Sequence, residues 1–175
     1  MLKYVIEGSR GAGKSTLIKR LAAGFPRERI TGFYTEKVDF DAGLSVVYIH
    51  DAAGDERTYS DANAVCVRND GEWNVRERLF DAAAREYLAS AGEGSVVIMD
   101  ELGFLERNAA VFCARVLEVF NSDAIAIAAI KQDVDVPLLN QIRIMESVCR
   151  YRLDAENRDL LYLRIVADMR ERGIV

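Results

Sequence analysis

Apolar runs of strand length alternate along this chain with stretches in which apolar residues recur at helical spacing. Leu2-Lys3-Tyr4-Val5-Ile6 is short and β-prone, and residues 15–22 read as a helix opening just behind it. Gly24-Phe25-Pro26-Arg27 marks a stop. Thr31–Asp39 and Leu44–His50 are rich in β-formers on either side of Asp41-Ala42-Gly43, which predicts a hairpin. Arg57-Thr58-Tyr59-Ser60 is expected to extend that antiparallel patch. The rest of 51–75 carries turn signals, at Asp51–Asp55 and Arg68–Gly71, and no clear period. From Arg76 to Ala91, Leu79, Phe80, Ala83, Ala84, Tyr87 and Leu88 sit at helical spacing, closed by Gly92. Ser95–Asp100 is then continuously apolar until its final carboxylate, as a strand covered on both faces should be. A helix at about 108–121, a buried strand at 122–130 and a short helix led by Pro137 follow. Val148–Leu153 predicts a further strand and Asn157–Arg172 a further helix. Such alternation implies α/β architecture: helices on a mostly parallel central sheet, with the hairpin as an antiparallel insertion, in one domain spanning 1–175.

The chemistry centres on Gly8-Ser9-Arg10-Gly11-Ala12-Gly13-Lys14-Ser15, which fits the phosphate-binding pattern G-x-x-x-x-G-K-[ST] at every fixed position. It lies between a strand and a helix start, the context this pattern requires. Gly8, Gly11 and Gly13 are expected in backbone conformations closed to other residues. Inward-turned amides of the segment Gly8–Thr16 would then hold phosphate oxygens at a helix N-terminus. Lys14, expected to be a solvated ligand, would reach the β- and γ-phosphates, and the Ser15 hydroxyl would ligate Mg²⁺. A second part ends the apolar strand at Asp100-Glu101. Asp100 is placed to hold the metal's hydration shell and Glu101 to orient or deprotonate a water.

Composition narrows the remaining classes. A net charge of −5 and a pI near 5.0 argue against a general nucleic-acid footprint. Cys66, Cys113 and Cys149 are widely spaced and odd in number, with no C-x-x-C pair, which suits reduced, buried thiols in a cytoplasm better than a disulfide frame or a zinc site. His50 is the only histidine, so histidine metal clusters are not expected. The apolar run at 124–130 is too short to span a membrane, and with a strand expected directly at the N-terminus no signal peptide is expected.

In four places the chain resembles the small P-loop nucleoside-triphosphatases, the family of the human cancer-related NTPase and its thermophile relatives. These are Gly8–Thr16; Gly32-Phe33-Tyr34-Thr35-Glu36-Lys37-Val38; Asp100-Glu101-Leu102-Gly103-Phe104-Leu105-Glu106 with Phe112; and Asn157-Arg158-Asp159. Gly71-Glu72-Trp73-Asn74-Val75 is similar to a further short segment, with Trp73 in a tyrosine's place. The resemblance implies a three-layer P-loop NTPase sandwich and Mg²⁺-dependent hydrolysis of nucleoside 5′-triphosphates with little base selectivity. It implies Lys14 and Ser15 for phosphate and metal, Asp100 for metal and Glu101 for the water. Arg10 stands where the family usually has proline, Phe104-Leu105 replaces Lys or Pro followed by Met, and Arg107-Asn108-Ala109 replaces a Leu-x-Ser-like stretch.

Other residues carry two readings each. Asn157 and Arg158 either contact the base or, through Asn157, cap a helix. Glu36 and Lys37 either serve the site or form a solvated hairpin face. Arg10 either adds charge near the phosphates or points to solvent. A small-molecule kinase would need an acceptor pocket and an arginine-rich lid, and 131–147 holds only Lys131 and Arg143. A nucleotide-dependent switch or assembly factor would use 31–75 to dock a protein partner.

Overall fold

The computed structural model describes residues 2–54 and 56–174; Asp55, at the end of the expected 51–55 turn, lies outside them. The described elements are β1 (Lys3–Gly8), α1 (Lys14–Ala22), β2 (Ile30–Asp39), β3 (Ser45–Asp51), β4 (Ala64–Asn69), β5 (Glu72–Val75) and α2 (Glu77–Tyr87). They continue with β6 (Val96–Leu102), α3 (Ala110–Asn121), β7 (Ile125–Lys131), α4 (Pro137–Ile144), β8 (Val148–Arg152) and α5 (Arg158–Glu171). The strands form one sheet in the order β5-β4-β3-β2-β6-β7-β1-β8. β2, β6, β7, β1 and β8 run parallel, and β3, β4 and β5 extend the sheet from β2 as an antiparallel meander.

The alternation of apolar strand and amphipathic helix produces the expected three layers. Leu17, Ile18 and Leu21 of α1 and Leu161, Ile165 and Met169 of α5 pack against one face of the sheet. Phe80 and Ala84 of α2, Phe112 and Val116 of α3, and Leu138 and Leu139 of α4 pack against the other. β6 and β7 are buried along most of their length, which is why their sequences read as apolar runs; β1 is as buried, although it begins at Lys3 and carries Glu7.

β2 serves both halves of the sheet. Its Ile30–Tyr34 pairs with β6 in parallel, and its Phe33–Asp39 pairs with β3 antiparallel. The antiparallel part is therefore continuous with the main sheet, and larger than a hairpin. Arg57–Ser60, expected as a strand, is not one; β4 and β5 supply the additional strands instead. The physical reason is cover. No helix lies over the wing face that carries Tyr48 and His50 among the described residues, and the 56–63 segment folds across it. The Tyr59 ring meets Tyr48 at 5.2 Å and His50 at 5.4 Å, both edge-on. Asn63 pins this segment: its amide donates to the carbonyls of Thr58 (2.7 Å) and Ile49 (3.1 Å), and its carbonyl accepts from the Ser60 N–H (3.0 Å). The bonds from Asn63 fix the segment as a turn-bearing cover and not as a ladder strand.

Candidate active site

The loop between β1 and α1 stands at the carboxyl ends of the parallel strands. Gly11 (φ 79°) and Gly13 (φ 99°) take the left-handed conformation as expected, whereas Gly8 does not. Gly8 is needed for space: a Cβ there would lie 2.6 Å from the Leu153 carbonyl oxygen. Ser9, Arg10 and Gly11 are exposed, as are Ser15 and Thr16, while Ala12 is buried.

Lys14 differs from the expectation of a solvated ligand. It is 6% exposed, and its ammonium donates to the carbonyls of Gly8 (2.9 Å) and Ser9 (3.1 Å). It also lies 3.2 Å from Glu101 Oε1. The lysine opens α1 and its side chain turns back under the loop. Packing of α1 on the sheet leaves it between loop and strand end, where charge compensation must come from neighbouring oxygens.

β6 delivers the two carboxylates differently. Asp100 is 2% exposed, and its Oδ1 accepts from the Ser15 hydroxyl at 3.1 Å. Burial pushes its carboxyl up to about 6, with the Ser15 hydrogen bond pulling the other way and the Glu101 charge adding to the rise. Glu101 sits where the β6–β7 register slips between Asp100 and Leu102. Such a bulge re-aims a side chain, and Glu101 turns into a cleft that Asp100 does not line. Its own N–H donates to Thr35 Oγ1 at 3.1 Å, so β2 helps set its position.

Asp100 and Ser15 offer hard oxygen donors, and no group of three or more His, Cys, Asp or Glu among the described residues could hold a metal. That donor set fits Mg²⁺, which keeps waters and uses one or two carboxylates with substrate phosphates. A buried, partnered carboxylate with a raised pKa is also one that a cation would stabilise.

The cleft next to Glu101 has a volume of about 420 Å³. Its walls include Arg10 of the loop, Thr35 and Lys37 of β2, Arg68 and Trp73 of the wing, and Phe104 and Lys131. Glu106 also faces it, is 3% exposed, and accepts from the Gly103 N–H; burial pushes its carboxyl up.

The remaining candidates separate. Glu36 is outside the cleft, paired with Arg57 and accepting from the Tyr59 hydroxyl at 3.2 Å, with His50 Nε2 at 3.9 Å. Strand alternation explains this: Thr35 and Lys37 face the cleft and Glu36 faces away. Asn157 occupies the N-cap position of α5 without a side-chain cap. Its amide instead donates to the Arg152 carbonyl at 2.9 Å and closes the 152–157 loop. Arg158 donates to the carbonyls of Ala12 (2.7 Å) and Gly11 (3.1 Å), so it holds the phosphate loop from behind. The sequence reading missed Thr35 as a partner of Glu101, and Arg68 and Lys131 as cleft cations. Alternation along β2 was the available signal for Thr35; Lys131, at the end of an apolar strand, gave none.

A phosphate loop backed by a carboxylate-tipped parallel strand, in a sheet covered by helices on both faces, defines a P-loop α/β nucleotide-binding protein. The chain belongs to the NTPase family, whose sequence profile matches residues 3–166. It is similar to nucleoside-triphosphatase THEP1 of Thermotoga petrophila, at 29% identity over 169 residues, covering 94% of this chain and 91% of that protein. THEP1 of Methanothermobacter thermautotrophicus matches at 29% over 171 residues, covering 94% of each chain. The crystal structure of THEP1 from Aquifex aeolicus superposes with a TM-score of 0.76 at 26% identity, over 95% of this chain and 98% of that one. The solution structure of a human cancer-related nucleoside triphosphatase shares the fold, with a TM-score of 0.71 at 23% identity over 98% of both chains.

Proposed function

We propose that this chain hydrolyses nucleoside 5′-triphosphates to the diphosphate and phosphate, with Mg²⁺ and with little preference for the base. The observation that carries the reading is the meeting of loop and strand end: Glu101 Oε1 lies 3.2 Å from Lys14 Nζ, and Ser15 Oγ lies 3.1 Å from Asp100. Loop amides and Lys14 would bind the phosphates and spread the charge that builds on them in the transition state. Ser15 and Asp100 would hold Mg²⁺, which when bound would supply charge neutralisation on the phosphates. Glu101, set by Thr35, orients a water and takes its proton as the new O–P bond forms; the bridging O–P bond breaks and the diphosphate leaves with the electron pair.

Weak base selectivity is supported by the state of the two residues nearest a base-contacting role. Asn157 and Arg158 direct their donors to backbone carbonyls, of Arg152 and of Gly11 and Ala12. Phosphate release from ATP, GTP, CTP and UTP, with Mg²⁺ and with chelator, tests the proposal. The expected result is metal-dependent release at rates within about tenfold of one another. Turnover confined to one base, or undiminished by chelator, would overturn it.

A further inference from the structure

Hydrolysis needs room for a water, which occupies roughly 30 Å³, whereas the cleft beside Glu101 encloses about 420 Å³. That is the size of a small-molecule site. Its walls are also unlike a water channel. Trp73 and Phe104 meet edge-on at 5.7 Å. The Arg68 guanidinium lies 5.1 Å from the Trp73 ring and the Lys131 ammonium 4.9 Å from the Phe104 ring. Arg68 Nε is buried and has no hydrogen-bond partner. Neither Arg68 nor Lys131 forms an ion pair among the described residues, and Arg10 at the cleft's loop side forms none either. Cations left unpaired against aromatic rings are arranged to receive an anion that brings its own apolar surface.

The position of the cleft matters as much as its lining. In a phosphate loop the lysine reaches the β- and γ-phosphates, so the terminal phosphate belongs at the Lys14–Glu101 end. The cleft is lined by Gly8, Ser9 and Arg10, at the start of the loop, and by Glu101; Ser15 and Arg158 are not among its walls. It therefore continues past the terminal phosphate, away from the nucleoside.

We propose that this cleft binds a second small molecule, a phosphomonoester carrying a flat ring and of nucleoside-monophosphate size, beside the terminal phosphate of the substrate. Its phosphate meets Arg68 and Lys131, and its ring lies against Trp73 and Phe104. The placement rests on the reading of Lys14 and Glu101 given above; the binding itself does not.

Trp73 is the only tryptophan in the chain and is 41% exposed, so its fluorescence reports on this cleft directly. The protein is titrated with nucleoside 5′-monophosphates while Mg²⁺ and a non-hydrolysable triphosphate analogue occupy the loop. The same affinities are measured by calorimetry. We expect a saturable change with Kd below about 1 mM, retained as the analogue concentration is raised to saturation. Affinity should fall about tenfold or more in Arg68→Gln and in Lys131→Gln, with triphosphate affinity unchanged in both. No saturable change below about 1 mM would overturn the proposal. So would binding displaced by the saturating analogue, or binding undiminished in both cleft variants. If triphosphate hydrolysis is absent but monophosphate binding behaves as expected, the hydrolytic reading fails and this one stands.

Discussion

The parallel half of the sheet and its antiparallel wing share one strand, β2, yet are built on opposite principles. In the parallel half, β6, β7 and β1 are covered by helices on both faces and are held by apolar burial. In the wing, α2 covers one face and a polar loop pinned by Asn63 covers the other; β5 is almost wholly exposed. The parallel half carries the phosphate loop and both carboxylates at its strand ends. The wing carries no part of the proposed phosphate chemistry and supplies the far wall of the cleft. Stable strand ends position reacting groups, and a less buried extension shapes what else can approach them.

If that division is right, the largest effects come from the parallel half. Lys14→Ala should lower turnover by at least about a hundredfold, the usual scale for losing a charge that stabilises the transition state. Because Lys14 is buried against Glu101 and the loop carbonyls, its loss should also loosen the loop, which hydrogen exchange at residues 9–15 would reveal. Glu101→Gln should slow single-turnover phosphate release by roughly 10²–10⁴-fold while nucleotide affinity stays close to that of the parent. Release at the parental rate would remove Glu101 from the mechanism. Asp100→Asn should weaken Mg²⁺-nucleotide binding and turnover together, separating the two adjacent carboxylates by their binding constants.

Asp100 also predicts a pH dependence. Its folded-state pKa, about 6, is above the usual aspartate value of 3.8. A raised carboxyl pKa contributes stability that is complete below about pH 4 and is lost as pH rises through about 6. Denaturant midpoints without metal or nucleotide should therefore show this group's share, on the order of 3 kcal/mol, declining from pH 4 to 7. The increment should be missing in Asp100→Asn. Mg²⁺-nucleotide affinity should move oppositely, weakening as pH falls through about 6.

The smallest effect on chemistry belongs to the wing. Asn63→Ala removes buried hydrogen bonds to Thr58, Ile49 and Ser60 and should cost about 1–3 kcal/mol of stability. Turnover at saturating substrate and moderate temperature should change less than about threefold. A loss comparable to that of Glu101→Gln would show that the two regions are coupled more tightly than their packing suggests.

The same division explains what could be read from the sequence. Burial on both faces writes a continuous apolar run, so β6 and β7 were visible, as were the helices between the strands; β1, which carries Lys3 and Glu7, was visible as a short β-prone stretch leading into the loop with its glycines. The carboxylates at 100 and 101 were visible because they interrupt such a run. In the wing the hairpin signal marked β3, but the region beyond it was opaque, because the 56–63 segment is held by polar and ring contacts distant in sequence. Arg57–Ser60 has strand-like residues but spends them on Glu36, Tyr48 and His50. Glu72–Val75 is a strand in which only Val75 is even half-buried, so no apolar period marks it. The burial of Lys14 and the work of Arg158 were hidden for another reason: both depend on how α1 and α5 dock, which residue spacing does not encode.

Arg158 has a consequence for how the protein comes into being. It ties the first residue of α5 to the carbonyls of Gly11 and Ala12, 147 and 146 positions earlier. During synthesis from the N-terminus, the phosphate loop is made before its support, which comes only with residue 158. A nascent chain thus displays a complete nucleotide-binding motif long before that motif is braced.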